Sequence, residues 1–103
     1  MYMPLDQVQA YDQLRALIHQ KLCEKENLME EEFHLFEMPL RKREKPCGVQ
    51  FVLQGPRNVR LGGIWAFEHN TVYLYDARGI RYEKMQLKNR IDNYDPASEN
   101  SAA

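Results

Sequence analysis

The side chains best suited to chemistry in this chain are two cysteines and three histidines: Cys23, Cys47, His19, His34 and His69. A metal ion needs three or four such donors to converge. The spacings that usually deliver them, C-x-x-C, H-x-H or H-E-x-x-H, are absent. His19 and Cys23 lie four residues apart and share one side of any helix drawn through them. Two donors on one turn do not complete a coordination shell, so neither a metal nor a cofactor is expected. Nucleophilic catalysis has little to start from. Ser98 and Ser101 are the only serines, and both lie near the end of the sequence. Cys47 follows the run RKREKP, whose charge would lower a thiol pKa, but no base accompanies it. Acid–base chemistry on a phosphate needs two titratable groups and a cation. His34, His69, Arg60, Arg81 and Tyr73 are the set that a sheet face would have to assemble. The glycines of LGGI and QGPRN do not follow a phosphate-loop pattern and lead into no helix. The expectation is therefore a protein that is not an enzyme.

The elements that position these residues are legible in the hydrophobic spacing. Val8, Tyr11, Leu14, Ile18 and Leu22 recur at intervals of three and four, with Ala10 and Leu17 widening the stripe. This predicts one amphipathic helix of about five turns, opened near Pro4 and Asp6 and ending near Glu26–Asn27. Phe33, Leu35 and Phe36 then open a strand in which Pro39 cannot donate, an edge position. RKREKP reads as a solvated basic connection. VQFVLQ is the next strand, GPRN a turn, and further strands are expected over about 59–67, 71–75 and 80–87. The last dozen residues read as a disordered tail, leaving 1–90 as a single domain.

Two turn signals set the register in WAFEHNTVYLYDARGIRY. His69-Asn70 occupies a two-residue hairpin loop, which would pair Phe67 with Val72 and Trp65 with Leu74. Asp76-Ala-Arg-Gly79 reads as a type I turn with Gly79 left-handed, closed by a bulge; it would pair Leu74 with Tyr82 and Asp76 with Ile80. Paired residues share a face. One face is then Trp65, Phe67, Val72, Leu74, Ile80 and Tyr82, the seat of the helix. The other carries Ile64, Ala66, Glu68, Tyr73, Tyr75, Arg81, Glu83 and Met85. A simple GPRN loop would place Val49, Phe51 and Leu53 on this second face. A bulge at Gly62-Gly63 would return them to the core.

The order of one long helix and an antiparallel meander resembles the cystatin-like and NTF2-like folds over residues 5–87. The likeness stops at element order. The Q-x-V-x-G loop of cystatin inhibitors is broken here, where residues 50–55 read QFVLQG inside a strand, and no inhibitory role follows from it.

Charge is unevenly distributed although the net value is only −1. Residues 1–39 carry three basic and eight acidic side chains, and residues 41–90 carry eleven basic and four acidic ones. No apolar run is long enough for a membrane span, the first residues lack a signal-peptide pattern, and two cysteines make no disulfide framework. A cytoplasmic protein is expected. One helix covers one face of such a sheet. The expectation for function is a small binding or scaffolding protein that forms a homodimer or docks a protein partner through the free face, with Tyr73, Tyr75, Ile64, Arg81 and Arg60 as the binding residues. The alternative is single-stranded nucleic acid stacked on a Tyr/Arg platform, with RKREK as an added phosphate contact.

Overall fold

A computed structural model of the chain describes residues 4–92 and residue 94. A 3-10 turn at Leu5–Gln7 precedes α1 (Tyr11–Lys25), β1 (Leu35–Lys42) and β2 (Lys45–Gln54). A second 3-10 turn at Pro56–Asn58 leads to β3 (Arg60–Ala66), β4 (Thr71–Tyr75) and β5 (Arg81–Gln86). The strands form one antiparallel sheet in the order β1-β2-β3-β4-β5, and α1 packs on one side of it. This is the α+β meander expected from the sequence.

α1 starts later than the hydrophobic stripe does. Val8 is fully buried, yet it lies on an extended approach, as does Ala10 at φ −119°, ψ 154°. The approach is held by the other end of the fold. Asp92 N–H donates to Gln9 O at 2.8 Å and Tyr11 N–H to Asp92 O at 2.9 Å, a bridge that a helical Ala10 could not make. Asp6 therefore caps nothing in α1. The Gln13 side-chain oxygen instead accepts the N–H groups of Gln9 and Ala10 at 2.9 and 3.0 Å. Of the predicted tail, only Ile91, Asp92 and Tyr94 fall within the described residues. Asp92 makes this bridge, and Tyr94 packs 4.8 Å from the ring of Tyr11.

Leu14, Leu17, Ile18 and Leu22 meet Val49, Phe51, Leu53, Leu61, Trp65, Val72 and Leu74 in one core. Gly63 lets the helix approach. A Cβ there would stand 3.1 Å from Leu74 Cδ2 and 3.4 Å from Ile18 Cγ2. Val49, Phe51 and Leu53 oppose Trp65, Gly63 and Leu61, and all three are fully buried. Gly62-Gly63 is not a bulge, because the pairing runs through it on both sides. The connection sets the parity. Gln54 pairs with Arg60, so five residues link the strands, and Arg57 and Asn58 turn the chain at φ 55° and 67°.

The next two hairpins differ from the expected register. Trp65, not Phe67, pairs with Val72, so the pairing has slid by two residues and the faces are unchanged. Phe67–Asn70 forms the turn, with Asn70 at φ 49° and its side-chain oxygen accepting Trp65 Nε1–H at 2.9 Å. Gly79 is left-handed (φ 81°), as the turn requires. The bulge that follows falls at Tyr82, because Tyr75 pairs with Arg81 while Leu74 pairs with Glu83. The Tyr82 ring swings under Lys25, whose Nζ lies 4.6 Å from its centroid. The extra residue shifts parity and corrects two placements, because Glu83 and Met85 belong to the helix side. Ile80, opposite Asp76 at the end of the hairpin before the bulge, is 56% exposed rather than core.

RKREKP is not a loose connection. Lys42 pairs with Lys45 around Arg43 and Glu44, both left-handed at φ 53° and 68°. That is a type I′ hairpin without glycine. Glu44→Gly should raise stability by roughly 0.5–1 kcal/mol in urea unfolding, since glycine adopts this conformation without a Cβ penalty. Gly63→Val should cost about 2 kcal/mol or more by overpacking beneath α1. Gly62→Val should stay within about 1 kcal/mol of the parent, because a Cβ there meets only Phe51 O at 3.5 Å.

Candidate functional site

Alternation along the strands leaves a second face that α1 does not touch. Its residues form rows across the sheet through matched pairs. One row is Phe36, Val52, Gly62, Tyr75 and Arg81, and the next is Met38, Gln50, Ile64, Tyr73 and Lys84. All five residues proposed from sequence lie here. Ile64 pairs with Tyr73, and Tyr75 with Arg81. The Arg81 guanidinium carbon stands 5.0 Å above the Tyr73 ring. Arg60 sits at the start of β3, where its Nε–H donates to Gln54 Oε1 at 2.9 Å.

Sequence reasoning placed Ile64 on this face but missed its apolar neighbours Phe36 and Met38. Phe36 and Met38 are 58% and 57% exposed, and Leu40, Val52 and Ile64 are half-buried beside them. The signal was the alternation Leu35-Phe36-Glu37-Met38, which turns Phe36 and Met38 away from the side of buried Leu35.

The strand carboxylates lie on the other side. Glu37 accepts Arg15 Nε–H at 2.6 Å, and Glu83 accepts from Lys21 Nζ at 2.5 Å, both partners coming from α1. Arg60, Arg81 and Lys84 thus share the open face with no strand carboxylate. Both sheet edges are blunted against strand addition. On β1, Pro39 lacks a donor, Arg15 donates to Leu35 O at 2.6 Å, and His19 Nε2 contacts Phe33 O at 2.8 Å. On β5, the Tyr82 bulge and the charges of Arg81 and Lys84 do the same.

The catalytic sets considered above do not assemble. His34 precedes β1 at one end of the sheet, and His69 lies in the β3–β4 turn at the other; both are exposed. Cys23 is buried, and burial raises its thiol pKa, with Glu30 and Glu31 adding to the effect. Cys47 is exposed on the β1–β2 hairpin. Among the described residues no three His, Cys, Asp or Glu side chains gather as a metal site. No described helix is long and apolar enough to cross a membrane.

Two depressions are notable. One, of about 600 Å³, opens among Trp65, Phe67, Tyr94, Lys88 and Arg90 at the end of the sheet. Within it Asn70 accepts from Trp65 and donates to Asn89 O at 2.8 Å. The other, of about 580 Å³, lies on the open face above Gly62, between Val52 and Tyr75, with Arg60 and Arg78 at its rim. The missing side chain at Gly62 makes its floor. Its wall is the Asp76 turn, where the N–H groups of Ile80 and Arg78 hold the Asp76 carboxyl below the usual range.

Comparison with protein-family models, with curated proteins and with solved structures finds no match to this chain. The functional reading therefore rests on the site alone.

Tyr82 offers a check on the bulge. Its hydroxyl is buried without a hydrogen-bond partner, and burial pushes its pKa up to about 12, with Glu83 and Asp76 adding to the shift. Unfolded tyrosine ionises near ~10. The Tyr82 contribution to stability should therefore be constant below pH ~10 and fall as pH rises toward 12. Ultraviolet titration of tyrosinate should show a late-ionising component near pH 12 that is lost in Tyr82→Phe.

Proposed function

We propose that this protein is a non-enzymatic binding module whose open sheet face pairs with the same face of a second copy. The carrying observation is that the face is self-complementary about β2. Phe36 and Gly62 pair with Val52 from opposite sides, so a prominent exposed ring and a side-chain-free depression lie one strand to either side of β2. A two-fold axis along β2 lays Phe36 of each copy over Gly62 of the other. The same operation sets Met38 over Ile64 and Leu40 over Ala66 through their rows. Such an interface is isologous, with the same patch on both sides.

Tyr73, Tyr75, Arg81, Lys84 and Arg60 then form a polar and aromatic rim, the usual surround of an apolar contact. An axis along β2 superposes β1, β2 and β3 of the two copies, a patch of roughly 300 Å² each, so the contact buries about 600 Å² in total. That is the size of a weak, transient contact rather than of a permanent dimer. The blunted edges favour face-to-face over edge-to-edge association. A nucleic-acid strand is a poorer occupant of this face, because the Arg81 guanidinium already covers the Tyr73 ring.

Sedimentation equilibrium from about 5 to 200 μM should show a reversible monomer–dimer transition. Phe36→Ala and Gly62→Val should each weaken it at least ~10-fold with the fold retained, the first by removing the ring and the second by filling its seat. A strict monomer throughout that range, or a Gly62→Val dimer as tight as the parent, overturns the reading.

A further inference from the structure

We propose that the tip of the β1–β2 hairpin is a ribbon that binds the phosphate backbone of duplex nucleic acid. This site lies apart from the self-pairing face. β2 pairs with β3 only as far as Gly48↔Ala66, and past that pair one hydrogen bond, Phe67 N–H to Cys47 O at 3.0 Å, ties it to the body. Residues 41–47 are all exposed. They project as a two-stranded ribbon by roughly 7–10 Å. The major groove of a duplex admits a two-stranded ribbon and is about 8.5 Å deep. The base of the ribbon is anchored. A Cβ on Gly48 would meet Trp65 O at 2.5 Å, so the strand lies tight against β3 where the projection starts.

The tip is strongly cationic. Arg41, Lys42, Arg43 and Lys45 surround Glu44, and among the described residues none of the four is in an ion pair. Arg41 Nη1 donates to Glu44 O at 3.2 Å, which braces the turn from one side. Both central residues are left-handed, where Asn-Gly would be comfortable, yet the chain places Arg43 and Glu44 there. Arg43 holds its cation at the apex despite that conformation, while Glu44 removes one charge from the tip.

One feature selects duplex over single strand, and the charge distribution attracts a polyanion of either kind. Residues 41–47 contain no aromatic side chain, so unpaired bases would find nothing there to stack on. Apart from Glu44 in the turn and Glu68 next to Phe67, acidic residues gather away from the tip, on α1 (Glu24) and in the connection to β1 (Glu30, Glu31, Glu32). The molecule's field thus turns the tip toward a polyanion.

Fluorescence anisotropy of the full chain with a labelled mixed-sequence duplex of about 20 base pairs at about 50 mM salt is the test. Binding is expected, with log K against log salt falling at a slope of roughly −3 for the tip's four cations. The triple variant Lys42→Gln/Arg43→Gln/Lys45→Gln should bind at least ~10-fold more weakly and lose most of that slope, while its circular dichroism and melting temperature match the parent. Failure of the parent to bind overturns the proposal, as does a triple variant that binds like the parent. So does tighter binding of a single strand that is lost in Tyr73→Ala, which would put the nucleic acid on the sheet face. Binding of heparin without the duplex would mark a different acidic partner and also reject it.

Discussion

The arrangement of this molecule depends on the lack of any side chain between Ile18 and the backbone of Gly63. The vacancy lets α1 settle onto β3, near the middle of the sheet, and bring Leu14, Leu17 and Leu22 into one core with Phe51 and Leu74. A helix of 15 residues is about 22 Å long and can seal one side of such a sheet. The other side is left uncovered by the same economy of elements. Phe36 and Met38 stay exposed because no second layer remains in the described fold to receive them.

Charge follows the same division. The bulge at Tyr82 reverses the alternation of β5 just before Glu83, and the carboxylate turns toward Lys21 on α1. Glu37 finds Arg15 in the same way. Acidic groups in the strands are thus neutralised by the helix, and the open face keeps cations, apolar side chains and uncharged polar groups such as Gln50 and Tyr73. Edges that resist strand addition and a face that remains bare give the sheet one direction in which to make contacts.

The fold was largely readable from spacing. The helical stripe, Pro39 on an edge strand and the Asp76–Gly79 turn each have local causes that survive without tertiary context. The misplacements have equally physical causes. α1 begins late because Ala10 is held extended by Asp92, a residue distant in sequence. The β3–β4 register slid because Asn70 serves Trp65 and the left-handed turn together, a coupling that two-residue loop rules do not contain. Tyr82 is the hardest case, since its extra residue is set by packing against Lys25 and not by turn chemistry. For the site, tyrosines and arginines drew notice through their residue type. Phe36 and Met38 did not, because exposed and buried apolar residues look alike until the parity of β1 is known.

The connection between β2 and β3 has an unusual implication for how this chain can diverge. Surface loops ordinarily absorb insertions and deletions freely. Here the five residues from Gly55 to Val59 set which side of β2 meets the helix. Loss or gain of one residue would present Gln50, Val52 and Gln54 to the core, unless a compensating bulge arose. Natural variants are therefore expected to vary the letters of this loop while keeping its length, a constraint normally associated with buried strands rather than with an exposed turn.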